Sequence, residues 1–402
     1  MTIIGYLTLL AGFYMAWSIG ANDVANAMGT SVGSKALTIK KAVFLAAILE
    51  FLGSVFSGNH VSLTIQQGII HPEIFQANPM IFILGMLGAL LATSLLLHLA
   101  SYLGMPISTT HAIVGAVLGF GWIIGGKEAV QWNQMVIISS SWVLSPIISG
   151  CISYFFFLTL QRKIFYATNP VESARKLSPF LVFISLSLLT SNLFSLPTAL
   201  AIATISSFAS IRLFTRIPVV VFSSQTPSRA SSYNYVEKIF VYLQIITACL
   251  VAFAHGANDV ANAIGPVAAI FQTLTTPGFL AKTSVPLWLL ILGGSGIVLG
   301  LATLGWRVIE TVGKGITELT PTRGFCAEFS ASATILLSTK LGLPISTTHA
   351  LVGAVFGIGL AKGLRALNLK TLRDIVFSWL ATIPISATLS ILVFYLLQAI
   401  FL

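Results

Sequence analysis

Two polar motifs are each written twice into an otherwise apolar chain. Gly-Ala-Asn-Asp-Val-Ala-Asn-Ala occupies Gly20–Ala27 and again Gly256–Ala263. Pro-Ile-Ser-Thr-Thr-His-Ala occupies Pro106–Ala112 and Pro344–Ala350. Asn22 lies 236 residues before Asn258, and Ser108 lies 238 before Ser346. So nearly constant a spacing means one unit has been duplicated, and both copies keep their polar residues inside apolar segments. Asn, Asp, Ser and Thr are costly in hydrocarbon, so their clustering there marks a functional site.

Of the 402 residues, 56% are hydrophobic and 8% charged, against roughly 25% charged in soluble domains. Lys and Arg outnumber Asp and Glu 21 to 11. With no polar domain to carry a basic stripe, that excess is a topology signal and nucleic acid is not an expected partner. Cys151, Cys249 and Cys326 sit in apolar stretches without paired spacing and read as buried thiols. The first apolar run carries the first motif, so it reads as a mature helix and not as a cleaved signal.

Runs long enough to cross about 30 Å fall near 3–28, 42–58, 80–103, 134–160, 178–195, 197–211, 237–270, 286–305, 323–342 and 374–401. Pro197 splits 178–211, which also fits one re-entrant pair. Segments 105–125 and 343–361 open on the Pro-Ile-Ser-Thr-Thr-His motif, continue into Gly-rich apolar sequence and read as broken or re-entrant helices. The expected fold is therefore an all-α polytopic membrane protein, with about 12 transmembrane segments in two repeats. The organisation is 1–160 for the first repeat, 161–236 for intervening helices and a cytoplasmic linker, and 237–402 for the second repeat. The Ser-rich segment 212–236 reads as the linker.

The basic clusters orient the chain. They are Lys35, Lys40 and Lys41; Arg162, Lys163, Arg175 and Lys176; Arg212, Arg216, Arg229 and Lys238; and Lys362, Arg365, Lys370 and Arg373. Placing all four in the cytoplasm leaves both termini outside. The first motif helix then runs inward and its copy outward, so the repeats are inverted. Inverted repeats meeting at broken helices are an architecture of secondary transporters. Arg307, Lys314 and Lys340 read as interface snorkellers.

Asn22 and Asn26 share a helix face beside Asp23, as Asn258 and Asn262 do beside Asp259. Their oxygens are hard ligands suited to Na⁺ or a proton. The alternative is close helix packing through Gly20, Ala21, Ala25 and Ala27 with Asn as interhelical glue, which leaves the doubled Asp unexplained. Ser108, Thr109 and Thr110, with Ser346, Thr347 and Thr348, place three hydroxyls at a helix start, where unpaired N–H groups favour an anion. Plain N-capping is the competing reading. His111 and His349 read equally as packing residues. His255 precedes the second motif where the first copy has no histidine. Glu50 and Glu328 lie in apolar runs and are not repeat mates: they align with Ile297 and Leu90. Each is a cation ligand, a proton carrier or a structural hydrogen-bonder.

These motifs resemble the inorganic phosphate transporter (PiT) family over both halves, from Gly20 through the 344–355 stretch. The resemblance implies a shared site. Asp23, Ser108, Thr109, Thr110, Asp259, Ser346, Thr347 and Thr348 would face phosphate. Asn22, Asp23, Asn26, Glu50, Asn258, Asp259, Asn262 and Glu328 would face the coupling cation. It implies symport of phosphate with Na⁺ or H⁺, and some relatives carry sulfate. The long cytoplasmic loop of animal relatives is missing, which suggests a prokaryotic cytoplasmic (inner) membrane. Expected partners are inorganic phosphate, the cation and the lipid bilayer, with a homodimer allowed. No cofactor is expected, and Na⁺ is favoured as coupling ion because the doubled Asn-Asp-x-x-Asn set surrounds one carboxylate with neutral oxygens. A carboxylate beside the anion accepts a P–OH hydrogen bond that sulfate cannot offer. No nucleotide-binding Gly-rich loop is present. A channel would need a continuous polar pore. A membrane enzyme acting on a phosphorylated lipid would not need the doubled arrangement.

Overall fold

The computed structural model describes residues 3–103, 107–216, 229–275, 284–305, 320–363 and 369–402. Pro106, Arg307, Lys314, Arg365 and the middle of the linker (217–228) lie outside the described residues. Helices account for nearly all of the described chain: α1 (Ile3–Gly33), α2 (Ile39–Ser57), α3 (Asn59–Gln67), α4 (Pro79–Tyr102), α5 (Thr109–Gly125), α6 (Trp132–Leu160), α7 (Pro170–Thr190), α8 (Leu196–Arg216), α9 (Arg229–Thr275), α10 (Leu287–Gly300), α11 (Pro321–Lys340), α12 (Thr347–Lys362) and α13 (Leu369–Phe401).

Seven helical stretches among the described residues are long and apolar enough to span a membrane. The remaining helices differ for a physical reason. Helices α2 and α11 carry Lys40, Lys41 and Glu50, and Arg323, Glu328 and Lys340, while α5 and α12 have only 17 and 16 residues. Glu50 and Glu328 are fully buried against protein. Lipid-facing helices show the complementary pattern: Phe155, Phe208, Phe377 and Leu392 are exposed on α6, α8 and α13.

The linker is shorter than 212–236, because Arg212–Arg216 finish α8 and residues 229–236 already belong to α9. Helices α7 and α8 form an antiparallel hairpin broken before Pro197.

Packing is reciprocal between the halves. Helix α1 packs on α10 and α9 on α2. Helix α5 packs on α13 and α12 on α6. Helix α4 lies against α13 and α11 against α6. Glycines mark the closest approaches. A Cβ on Gly20 would meet the carbonyl of Ile297, and one on Gly256 that of Glu50. Gly300 is closed off by Trp17 and Gly53 by Phe253. These matched contacts confirm the pairing of Glu50 with Ile297 that the repeat alignment predicts.

Both motif-capped half-helices start abruptly. Ser108 and Ser346 adopt extended backbone, and their hydroxyls accept the N–H groups of His111 and His349 at 3.3 Å. N-capping is therefore real in both copies. Proline shapes the helices behind them. Pro146 cannot donate to the carbonyl of Trp142 four residues earlier, and Nδ1 of His349 takes that carbonyl at 3.2 Å. His111 Nδ1 makes the mate contact to the Trp379 carbonyl at 3.4 Å. The two imidazoles meet edge to face, 4.5 Å between centroids, against Trp142 and Trp379. They pack as a buried pair, in line with the packing reading.

Candidate functional site at the join of the two repeats

The polar residues of all four motifs converge, and their bonds cross between the halves. Within each repeat a threonine at the start of the half-helix donates to the motif aspartate. Thr109 donates to Oδ2 of Asp23, and Thr347 to Oδ2 of Asp259 at 2.9 Å. Between repeats an asparagine reaches the next threonine of the other half. Asn26 Nδ2 donates to Thr348 at 2.7 Å, and Asn262 Nδ2 to Thr110 at 3.3 Å. Asn26 also donates to Asp23 Oδ1 at 3.3 Å. Helix geometry explains this reach, because neighbours three or four apart on α1 and α9 lie on one face.

Asn22 and Asn258 are tethered by hydroxyls absent from the sequence expectations. Asn22 donates to Ser101 at 3.0 Å and Asn258 to Thr339 at 3.0 Å. Ser101 and Thr339 close α4 and α11 at matching repeat positions. Their signal in the sequence is only that spacing, with no motif around it.

The donors so engaged leave acceptors over. Oδ1 of Asn22, Asn258, Asn262 and Asp259 is buried and has no hydrogen-bond donor among the described residues. A buried acceptor left without a donor costs about 1–3 kcal/mol. Buried acceptors of this kind on the two motif helices suit a hard cation, which takes multiple oxygens. One ligand atom from each of Asp23, Asp259 and His255 lies within 4.8 Å of the others. Two carboxylates that close in low dielectric repel each other strongly, and a cation between them removes the penalty.

The two glutamates part company. Glu50 reaches this centre only through His255, whose Nδ1 lies 3.2 Å from Glu50 Oε1 and whose Nε2 lies 2.9 Å from Asp259 Oδ2. Glu328 sits in a separate buried cluster. Its Oε1 accepts from Thr30 and Ser31 at 2.6 Å each and from Gln244 at 3.0 Å, and its Oε2 from Thr247 at 2.7 Å. Thr30 and Ser31 lie two turns along α1 from Asn22 and Asp23, and Thr30 is one turn beyond Asn26. The structure thus brings Asn22, Asp23, Asn26, Thr109, Thr110, Asn258, Asp259, Asn262, Thr347 and Thr348 together, with Ser108 and Ser346 as caps at its edge. It leaves Glu328 outside that group.

A multi-pass helical membrane protein with one polar centre built from two repeats is what the fold and site define. Its sequence gives the class a family. A family model described as the phosphate transporter family matches residues 19–390. The chain belongs to the phosphate transporter family, whose members are transporters and not enzymes. It is 45% identical to inorganic phosphate transporter 2-1, chloroplastic, of Arabidopsis thaliana, over 97% of this chain and 71% of that one. It is 45% identical to a protein named as a phosphate permease in Chlamydia pneumoniae, over 98% of each. A solved structure described as the sodium-dependent phosphate transporter superposes with a TM-score of 0.89 at 41% identity, covering 99% of this chain and all of that one.

Ser108→Ala and Thr348→Ala should weaken phosphate binding more than cation binding. One lost donor to a dianion costs about 1.5–3 kcal/mol, or roughly 10- to 100-fold in affinity. Phosphate binding titrations on purified variants check this. Unchanged affinity with lower thermal stability would assign the hydroxyls to capping alone.

Proposed function

We propose that the protein is a secondary symporter that imports inorganic phosphate with Na⁺ across a prokaryotic cytoplasmic membrane. The observation that carries this reading is the pair of cross-repeat bonds, Asn26 to Thr348 and Asn262 to Thr110. They join each cation-facing motif helix to the opposite half-helix start, so neither ligand has a site made by one repeat alone. Asn22, Asp23, Asn26, Asn258, Asp259 and Asn262 supply the oxygens for the cation. The hydroxyls of Thr109, Thr110, Thr347 and Thr348, with the two half-helix N-termini, face the anion. Asp23 and Asp259 accept the P–OH proton that sulfate lacks. The solved relative's description as sodium-dependent supports the choice of ion.

The test is uptake of labelled phosphate into proteoliposomes under an imposed Na⁺ gradient, then with Na⁺ replaced by choline at fixed pH, with sulfate as competitor. Loss of uptake in choline is the expected result. Uptake that persists without Na⁺ and collapses with the pH gradient would replace Na⁺ by H⁺.

The same reading inverts the repeats and places both termini outside, with residues 1–160 and 237–402 as the two repeats. Among the described residues, helices α7 and α8 have no counterpart in the second half. In a variant without native cysteines, Thr38→Cys should resist an impermeant external thiol reagent and Gln76→Cys should react; both positions are exposed on the protein surface. External labelling at position 38 would overturn the orientation.

A further inference from the structure

One half of the centre carries an ionisable pair where the other half is apolar. Glu50 and His255 are 0% and 1% exposed. Their repeat mates are Ile297 and Ile19, both fully buried. The equivalence is structural as well as sequential, since the backbone of Glu50 closes on Gly256 as that of Ile297 closes on Gly20. A buried carboxylate and imidazole are costly to bury, and the mate crossing of Ile19 and Ile297 shows that isoleucines fill the equivalent space. Packing alone therefore does not require the pair.

The three side chains form a chain that ends on one oxygen. Glu50 Oε1 faces His255 Nδ1 at 3.2 Å, and His255 Nε2 faces Asp259 Oδ2 at 2.9 Å. Thr347 donates to that same Oδ2 at 2.9 Å. Asp259 Oδ1 is buried and has no donor among the described residues. Asp23 differs, because its Oδ1 accepts from Asn26 and its Oδ2 from Thr109. Both oxygens of Asp23 thus receive neutral donors, whereas Asp259 has one donor, Thr347, and the His255 imidazole at ion-pair distance on one oxygen and neither on the other.

We propose that Glu50 and His255 are positioning residues that commit Oδ2 of Asp259 to the protein and leave Oδ1 as the single oxygen it offers to a cation. This rests on the cation reading of the site given above. The imidazole fixes the rotation of the carboxylate, and Glu50 fixes the imidazole, as carboxylate–histidine pairs do behind metal ligands. Glu50 then serves the cation without touching it, and the two halves of a repeated site bind unequally. Asn258 and Asn262, each with a buried Oδ1 that has no donor among the described residues, lie on the same helix as Asp259 and complete the oxygens on that side.

The test uses the whole purified protein in proteoliposomes. Two curves are measured: uptake against Na⁺ at saturating phosphate, and uptake against phosphate at saturating Na⁺. The double variant Glu50→Ile/His255→Ile installs the pair found at the mate crossing, Ile297 and Ile19, and buries no charge. It should raise the half-activating Na⁺ concentration by about 10-fold or more, the usual range for a lost partner behind a ligand. The phosphate KM at saturating Na⁺ should stay within about twofold, because the anion-facing hydroxyls are untouched. Glu50→Gln keeps an oxygen toward Nδ1 and should give an intermediate Na⁺ shift, so it also serves if the double variant does not fold. Wild-type-like Na⁺ curves in either variant would overturn the proposal, as would equal shifts in both curves, the mark of a merely structural pair. Wild-type uptake that ignores Na⁺ would overturn the cation reading first and this inference with it, so the two failures are told apart by the wild-type curve.

Discussion

Asp23→Asn and Asp259→Asn should each abolish phosphate uptake while leaving folded protein in the membrane. Asparagine keeps the size of the side chain and an oxygen to accept from Thr109 or Thr347, so the packing around each motif survives. What it removes is the charge. Depriving a buried cation of its carboxylate costs about 3 kcal/mol or more, which is on the order of 100-fold in affinity. Each substitution alone should be disabling, because the crossed bonds Asn26–Thr348 and Asn262–Thr110 make one centre of the two halves. Uptake in proteoliposomes, with size-exclusion profiles and thermal melts of the same preparations, checks the result. Near wild-type uptake in either variant would make that aspartate structural.

Gly353→Ala should destabilise the protein despite improving helix propensity. In a helix interior this change is ordinarily worth about 1 kcal/mol in favour of alanine. Here α12 crosses α6 backbone to backbone, and the new Cβ would lie 2.5 Å from Pro146 Cα and 2.7 Å from its carbonyl carbon. No flexible side chain can give way, so the helices must separate, at a cost of about 1–3 kcal/mol for an overpacked contact. The crossing also carries the Trp142 carbonyl that holds His349, so the shift reaches the half-helix start. A lower melting temperature and reduced uptake are expected. Gly88→Ala is the comparison, since its nearest neighbours lie at 3.3–3.5 Å, and it should melt close to wild type. Equal melting temperatures for the two variants would show that the α6–α12 contact is softer than its geometry implies.

The doubled motifs made most of the centre legible before any coordinates. Ten of their side chains meet, because a repeat that preserves polar residues in apolar helices leaves them little choice but each other. The half-helices at Thr109 and Thr347 were legible for the same reason: a proline, a capping serine and a short Gly-rich run cannot make a full span. Three things were not legible. Hydropathy alone did not show that Glu50 on α2 and Glu328 on α11 turn into protein, where a charged residue is tolerated. Ser101 and Thr339 carry no motif, and only a folded α4 and α11 bring them to Asn22 and Asn258. Glu50 and Glu328 look alike in sequence, each a lone acid in an apolar run. Only packing shows that one leans on His255 toward the centre while the other is held by Thr30, Ser31, Gln244 and Thr247.

The crossed bonds also set a timetable for biosynthesis. Asn26 and its partner Thr348 are 322 residues apart. At roughly 5–20 residues per second, the ribosome needs on the order of 15–65 s to make the second after the first. Throughout that interval Asn26 is without the half-helix that answers it, while Asp23 gains its Thr109 partner 86 residues after it is made. The nascent first repeat must keep its polar face toward other early helices, the insertion machinery or water until α12 arrives. Variants that weaken α12 should therefore be cleared as unfinished chains, and their loss would register as low abundance well before any change in transport rate per molecule.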